Sequence, residues 1–197
     1  MEEHSWTAAL NAFKIESASI KAAIGHIDRN EFARAVEALK YAPRIAASGC
    51  GHSGIACMHF AHLMCCIERP ARFISPSEAI HGAMGYMQGG DVMVLASRGG
   101  KTSELIPIME ICARKKITVI SVTQNMDSPM AKQSDILLRM YAEQETDKFN
   151  TQGTASFAVL NAIFDALQTA VMEETGFQPE QFALIHPGGA VGERLNK

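Results

Sequence analysis

The sequence lacks the segments that direct a chain to secretion or hold it in a membrane. Residues 1–5 read MEEHS, which has neither the basic nor the apolar part of a secretory signal. No apolar run approaches the roughly 18 residues of a transmembrane helix. The five cysteines are an odd number without the spacing of a disulfide framework, which indicates reduced thiols. We therefore expect a cytoplasmic protein without a membrane partner.

A strong excess of either charge is also absent. The 18 Lys and Arg residues and 21 Asp and Glu residues give a formal net charge of −3. A general nucleic-acid binder needs a concentrated basic surface, so we expect no nucleic acid partner. No low-complexity tract, clear repeat or polar linker interrupts the 197 residues. The length therefore predicts a single domain over residues 1–197.

Short β-rich runs alternate with helical spacing from Arg44 onwards. The predicted strands are Arg44–Ser48, Ala71–Ile74, Val92–Ala96, Thr118–Val122 and Ile136–Met140. The predicted helices lie at about 5–25, 28–39, 54–67, 78–87, 103–115, 128–133 and 151–175. Because the strands are apolar on both faces, we expect a three-layer αβα sandwich around a mainly parallel sheet over residues 44–197. The helices within residues 1–40 would pack on that core or at an interface between subunits.

The loop after the first predicted strand is rich in glycine. Residues 48–54 read SGCGHSG, which matches G-x-G-x-x-G between a strand and a helix. A dinucleotide site would also need an acidic residue near the end of the second strand, where residues 73–76 read FISP. The sequence therefore disfavours a nicotinamide cofactor.

A second glycine-containing loop follows the third predicted strand, where residues 97–104 read SRGGKTSE. Two glycines let the backbone approach a ligand, and the start of the next helix offers unpaired amides and a positive dipole end to a phosphate. The alternative is a capped turn with Thr102 or Ser103 at the N-cap. Two such loops at neighbouring strand ends favour an anion site.

Glu104 would stand one residue into the predicted helix. It either complements the helix dipole or faces a ligand beside the anion site. Partial burial would raise the pKa of its carboxyl group towards neutrality and suit it to act as a general base on a carbon acid. His81, Glu145 and His186 are further candidates for acid–base chemistry or orientation, although spacing alone selects none of them.

Four possible metal ligands fall on the predicted helix 54–67: Cys57, His59, His62 and Cys66. His59 and His62 are three residues apart, and His62 and Cys66 are four apart, so they share one side of a helix. Amphipathic packing produces the same spacing, and we therefore expect no metal site.

Four motifs together resemble the sugar isomerase (SIS) domain family, specifically its D-arabinose 5-phosphate isomerases. They are Gly49-x-Gly51-x-Ser53-Gly54, Glu78-Ala-x-His81-Gly82, Ser97-x-x-Gly100-x-Thr102-Ser103-Glu104 and Phe182-Ala-Leu-x-His186-Pro187-Gly188-Gly189-Ala190. The resemblance runs from about Arg44 to the C-terminus. It implies a flavodoxin-like fold with five parallel strands. It also implies aldose–ketose isomerisation of a phosphorylated sugar through an enediol, without a metal or an organic cofactor.

The resemblance further implies roles for particular residues. Ser97, Thr102 and Ser103 would contact the phosphate, and Glu104, Glu145, His81 and His186 match family positions that line the sugar. We add His52, Ser53, Gly100 and Lys101 as candidate binding residues. We further predict that Glu104 is the base that moves the proton and His186 its acid–base partner, while His81 and Glu145 orient the sugar hydroxyls. Sites in this family form between subunits, so we expect a homotetramer in which a neighbouring chain contributes at least one histidine.

The chain departs from the family pattern at two places. His52 stands where the family usually has Lys, and Gly99-Gly100-Lys101 replaces Ser-Gly followed by Glu or Asn. We hypothesise that Lys101 or Arg98 supplies the missing positive charge. The chain ends at Lys197, so the paired regulatory (CBS) modules of many relatives are expected to be absent.

Two other functions fit the same residues. One is a non-catalytic phosphosugar sensor, because His52 could mark a lost activity. The other is isomerisation of a different phosphosugar, as by a 6-phospho-3-hexuloisomerase. Glu104, Glu145 and His186 favour an enzyme over the sensor.

Overall fold

Five parallel strands form the sheet at the centre of the computed structural model, which describes residues 1–196. The strands are β1 (Ile45–Gly49), β2 (Ala71–Phe73), β3 (Val92–Ala96), β4 (Thr118–Thr123) and β5 (Ile136–Arg139). Their order across the sheet is β2-β1-β3-β4-β5, and every neighbouring pair is parallel. All five predicted strands are confirmed to within one residue at each end.

Helices cover both faces of this sheet. They are α1 (Glu3–Ala23), α2 (Arg29–Tyr41), α3 (Gly51–Cys66), α4 (Pro76–Ile80), α5 (Ile106–Lys115), α6 (Pro129–Gln133), α7 (Ala155–Thr175), α8 (Pro179–Ile185) and α9 (Gly189–Leu195). Successive residues of a strand point to opposite faces. Ile45 and Ala47 of β1 accordingly lie in the core formed with α2, α3 and α7, whereas Ala46 lies in the core formed with α4, α5 and α6. The predicted αβα sandwich is therefore confirmed.

α7 is long and apolar enough to cross a membrane, but one of its faces lies in the protein core. Val159, Ile163 and Leu167, spaced four residues apart, are buried there. The ring of Phe164 packs 4.7 Å from the ring of Phe60 on α3. Burial against α2, α3 and the sheet thus accounts for the apolar composition of α7.

Several helices begin or end away from their predicted bounds. The predicted helix 78–87 is two short helices, α4 and a 3-10 helix at Ala83–Tyr86, because Gly82 between them has a φ of 109°. The predicted helix 151–175 begins only at Ala155. The sequence patterns do not predict α8 and α9, which are seven residues each.

The predicted helix 103–115 also begins late, and this correction concerns the candidate site. α5 starts at Ile106, and Leu105 occupies the N-cap position without a side-chain hydrogen bond. Thr102 and Ser103 are therefore not N-caps, and Glu104 belongs to the loop rather than to the helix.

Candidate functional site

The two glycine-containing loops lie side by side at the carboxyl edge of the sheet. β1 and β3 are neighbours, and Gly49 at the end of β1 is paired with Ala96 at the end of β3. The strand order reverses here, because β2 lies on one side of β1 and β3 on the other. Ligands of open α/β sheets bind in the crevice at such a point. The first glycine loop (residues 48–54) and the second glycine loop (residues 97–104) therefore form the candidate site.

The first glycine loop presses the start of α3 against the end of β1. A Cβ atom on Gly54 would lie 2.6 Å from the carbonyl oxygen of Gly49, so this approach requires glycine. Gly51 has a φ of 56°, a left-handed conformation that glycine adopts without strain. Cys50 is the N-cap of α3, and its side chain accepts no hydrogen bond from the helix. The first amides of α3 are thus left without a side-chain cap.

Hydrogen bonds hold the second glycine loop in one shape. The Gly100 amide donates to both the carbonyl oxygen and the side-chain oxygen of Ser97, each at 3.1 Å. The Gly100 carbonyl accepts from the Met130 amide at 3.1 Å, and the Arg98 carbonyl accepts from the Gln124 amide at the same distance. The loop is thereby fixed to the polypeptide that follows β4.

Gly100→Ala is expected to lower the free energy of unfolding. The φ of 64° at Gly100 costs a residue with a Cβ about 1–2 kcal/mol. The new methyl group would also collide with the side chain of Ser128, and overpacking adds about 1–3 kcal/mol. Urea unfolding should therefore show a loss of about 2–5 kcal/mol. Gly99→Ala is the matched control, since a Cβ there would meet only Cγ of Lys101, at 4.0 Å. Equal losses in both variants would contradict this explanation.

Three successive backbone amides of the second glycine loop are free to bind an anion. Within residues 1–196, the amides of Lys101, Thr102 and Ser103 donate to no protein acceptor. They follow Gly100, whose left-handed conformation is typical of the concave amide nests that bind phosphate. The sequence predicts that the N-terminus of the next helix offers the amides for an anion. In the structure the free amides belong to the loop before that helix.

The hydroxyl groups of this loop are mostly engaged with one another. Ser97 Oγ lies 2.8 Å from Thr102 Oγ1, and it accepts from the Gly100 amide. Only one of these two hydroxyls can donate across the shared contact, so one hydroxyl hydrogen is left for a ligand. The Ser103 hydroxyl donates to Glu104 Oε2 at 2.8 Å. The hydroxyl groups of this loop therefore stabilise its conformation as well as offering donors to a ligand.

Glu104 is exposed in the single chain. Hydrogen bonds from the Ser103 hydroxyl and from its own backbone lower the pKa of its carboxyl group below the ordinary value. The expectation of a raised pKa is therefore wrong for the single chain, because the side chain is not buried. Burial and, secondly, the charge of Glu104 raise the pKa of the Cys50 thiol. Glu104 thus lies close to the first glycine loop.

Arg98 and Lys101, the two hypothesised sources of positive charge, have different contacts. Arg98 Nη1 donates to Glu145 Oε1 at 2.7 Å, and Nη2 donates to the Ala142 carbonyl at 3.1 Å. Lys101 is exposed and forms no ion pair within the described chain. Arg98 is therefore committed to a protein carboxylate, and Lys101 is left for a ligand.

His52 stands in the first turn of α3, exposed, beside the segment that precedes α7. A Cβ atom on Gly153 would lie 3.2 Å from His52 Nδ1, and the ring of Phe157 meets the imidazole edge-on with centroids 6.0 Å apart. Ser53, the next residue, is half-buried.

Glu145 lies inside the protein, with 2% of its surface exposed. It accepts hydrogen bonds from Arg98, Thr154 and Ser156. Burial opposes its ionisation, but the hydrogen bonds from Ser156, the charge of Arg98 and the Thr154 amide outweigh burial and lower the pKa of Glu145. The sequence interpretation places Glu145 against the sugar; in the structure its carboxylate faces protein donors instead. No spacing pattern in the sequence connects Glu145 with its donors. The only sequence signal for a buried acceptor is the run of hydroxyl residues at the start of α7.

The two candidate histidines lie in different parts of the chain. His81 is exposed at the C-cap of α4. His186 follows α8 and lines a cavity of about 430 Å³ with His62 and Cys66, near the end of α3. α3 begins at the first glycine loop, and its 16 residues span about 24 Å. His186 therefore lies at the opposite edge of the sheet from Glu104.

The four possible metal ligands on α3 do not converge. Cys57 is buried and donates to a β1 carbonyl at 3.3 Å, and burial raises the pKa of its thiol. His59 pairs with a carboxylate of α7, while His62 Nε2 lies 3.6 Å from Cys66 Sγ. Over residues 1–196, no three His, Cys, Asp or Glu side chains come together as a metal site would require.

Comparison with known proteins agrees with this geometry. A family model described as the SIS domain matches residues 38–171. Arabinose 5-phosphate isomerase KdsD of Pseudomonas aeruginosa is 36% identical over 167 residues, which cover 84% of this chain and 51% of that protein. The chain spans about half the length of the curated relatives it matches.

Solved structures show the same fold. A candidate sugar-phosphate isomerase from Listeria monocytogenes has a TM-score of 0.92 at 35% identity, covering 95% of this chain and 100% of that one. The protein c3406 of Escherichia coli CFT073, solved in complex with arabinose 5-phosphate, has a TM-score of 0.87 at 24% identity, covering 95% of this chain and 100% of that one. With the family model matching more than half of its residues, the chain belongs to the SIS domain family.

Proposed function

We propose that this chain is a phosphosugar isomerase that interconverts an aldose and a ketose between the two glycine loops. The observation that carries the proposal is the second glycine loop, in which the free amides of Lys101, Thr102 and Ser103 stand directly before the Glu104 carboxylate. Such amides bind phosphate, and a carboxylate beside them can reach the sugar. The activity named for the Pseudomonas aeruginosa relative supports D-arabinose 5-phosphate and D-ribulose 5-phosphate as the substrate pair.

The proposed chemistry is proton transfer between two adjacent carbons. Glu104, whose hydrogen bonds lower the pKa of its carboxyl group, takes the proton from the carbon beside the carbonyl. The electron pair of the broken C–H bond forms an enediolate whose negative charge lies on the former carbonyl oxygen. That oxygen gains a proton while the hydroxyl on the deprotonated carbon loses one and becomes the new carbonyl, and the same carboxyl group returns its proton to the former carbonyl carbon. Phosphate binding away from the reacting carbons holds the sugar in place. These steps balance without a cofactor.

A second copy of the chain is proposed to complete the site. Glu104 is exposed in one chain, and His186 of that chain lies at the other edge of the sheet. If His186 is the acid–base partner, a neighbouring chain supplies it. α1 also exposes large apolar side chains, among them Trp6 and Phe13, the latter 74% exposed. Contiguous apolar surface of this kind marks an interface, which supports the proposed homotetramer.

Lys101→Ala is expected to weaken phosphosugar binding. Lys101 carries the free positive charge of the second glycine loop. A hydrogen bond to a charged group contributes about 1.5–3 kcal/mol, so steady-state kinetics should show KM raised about 10–100-fold with a smaller change in kcat. Lys21→Ala, an exposed lysine on α1, is the matched control and should leave both constants near the wild-type values. An unchanged KM in Lys101→Ala would remove Lys101 from the site.

The function is tested by incubating the purified protein with a panel of sugars and measuring aldose–ketose conversion. The panel contains arabinose 5-phosphate, ribulose 5-phosphate, a 3-hexulose 6-phosphate and the matching sugars without phosphate. We expect conversion of the pentose phosphates and none of the free sugars. Binding without conversion would instead support the sensor, and conversion of the hexulose phosphate alone would support a 6-phospho-3-hexuloisomerase. Neither binding nor conversion across the panel would overturn the proposal.

A further inference from the structure

Glu145 uses its hydrogen-bonding capacity inside the protein. Its Oε1 accepts from Arg98 Nη1 at 2.7 Å and from the Ser156 hydroxyl. Its Oε2 accepts from the Thr154 amide at 2.9 Å, the Thr154 hydroxyl at 3.2 Å and the Ser156 amide at 3.1 Å. A carboxylate offers about four acceptor positions, so these contacts leave none for a sugar hydroxyl.

These contacts fasten the segment 142–154 to the start of α7. Thr154 is the N-cap residue of α7 and Ser156 lies in its first turn. The first amides of a helix lack partners within the helix, and a negative charge is favoured there. Glu145 therefore serves as the capping carboxylate of α7.

Arg98 connects this carboxylate to the second glycine loop. Its Nη2 donates to the Ala142 carbonyl at 3.1 Å, and its Nε donates to the side chain of Gln124 at 3.2 Å. Its own carbonyl accepts from the Gln124 amide. The planar guanidinium group suits several partners at once. Arg98 thus joins the chain segments that follow β3, β4 and β5.

The same segment contacts the first glycine loop through His52. Gly153 lies so close to the imidazole that a Cβ atom would stand 3.2 Å from Nδ1. The segment 142–154 is therefore bound on one side to the second glycine loop, through Arg98, and on the other side touches His52. The segment thus lies between the second glycine loop and His52.

We infer that Arg98 and Glu145 form a positioning pair that sets the separation between the second glycine loop and His52. The inference rests on the proposed function, since it concerns the phosphosugar bound between these loops. Neither side chain contacts the sugar. Breaking the pair weakens phosphate binding and leaves the proton-transfer group, Glu104, in place.

The test compares Glu145→Gln, Arg98→Ala and the double variant with the wild-type protein. We expect each single variant to raise KM about tenfold while kcat falls by less than about threefold. The KM of the double variant should be no higher than that of the more impaired single variant. The pH dependence of kcat should stay unchanged. Arg98→Lys should restore part of the loss, because lysine keeps the charge and loses the planar fork. If Arg98→Ala does not fold, Arg98→Lys takes its place in the single and double variants.

The affinity for inorganic phosphate, titrated by NMR, supplies a readout that needs no turnover. The positioning pair predicts weaker phosphate binding in both single variants, without further loss in the double variant. A roughly hundredfold fall in kcat of Glu145→Gln at unchanged KM would make Glu145 a catalytic residue and overturn the inference. Independent, additive effects of the two substitutions would do the same. A wild-type protein that binds phosphate and converts no phosphosugar would instead refute the proposed function, and the phosphate titration would still test the pair.

Discussion

Replacement of Glu104 by glutamine is expected to lower kcat by about 10²–10⁴-fold, the range that general acid–base catalysis contributes. Glutamine keeps the shape of the side chain but cannot take up the proton. The free amides of Lys101, Thr102 and Ser103 are unaffected by this substitution and continue to bind the phosphate. KM should therefore change by less than about threefold, which separates the loss of a base from the loss of a binding contact.

Glu110→Gln is the matched control for this experiment. Glu110 is an exposed carboxylate on α5, six residues beyond Glu104, and its substitution removes the same charge from outside the loop. It should leave kcat near the wild-type value. If Glu104→Gln kept more than about a tenth of wild-type kcat, Glu104 would not be the base.

Mixing two inactive variants, Glu104→Gln and His186→Asn, is expected to restore activity. Within one chain, Glu104 lies near the start of α3 and His186 near its end, and the 16 residues of α3 span about 24 Å. A site that uses both must take them from different chains. In hybrid oligomers some sites then combine the intact Glu104 of one variant with the intact His186 of the other. Random reassociation of equal amounts should give about a quarter of the wild-type activity.

The control for this mixture combines Glu104→Gln with Glu104→Ala, which can form no intact site. Its activity should stay at the level of the separate variants. A mixture of Glu104→Gln and His186→Asn that stayed equally inactive, although mass measurements showed exchanged subunits, would place both residues in the same chain's site or remove His186 from the chemistry.

The central strands β1, β3 and β4 could be predicted from sequence because they are buried on both faces. Val92–Ala96 reads VMVLA, every residue of β3 is buried, and its predicted bounds are those observed. The start of α5 could not be predicted in the same way. Residues 102–104 have the composition of a helix N-terminus, but hydrogen bonds from Gly100 to Ser97 and from Met130 to Gly100 hold a loop there. The contact from Met130 comes from a distant part of the sequence, so the residues around 102–104 carry no sign of it.

The candidate site, like the fold, could be predicted from sequence only in part. The glycine loops could be found because the close approach of Gly54 to β1 requires glycine, which leaves a visible pattern. The environment of Glu145 could not be found, because Arg98 is 47 residues away in sequence. The direction of the pKa shift at Glu104 could likewise not be predicted from sequence, since it depends on exposure and on the hydrogen bond from Ser103.

The central claim is that Glu104 moves a proton on a sugar whose phosphate is held by the second glycine loop. Its most direct test is to incubate the wild-type protein and Glu104→Gln with arabinose 5-phosphate in deuterated water and to follow the sugar by NMR. We predict deuterium at the carbon beside the carbonyl with the wild-type protein, and incorporation at least about a hundredfold slower with Glu104→Gln. Bound sugar that is neither converted nor deuterated by the wild-type protein, or equal rates with both proteins, would contradict the claim.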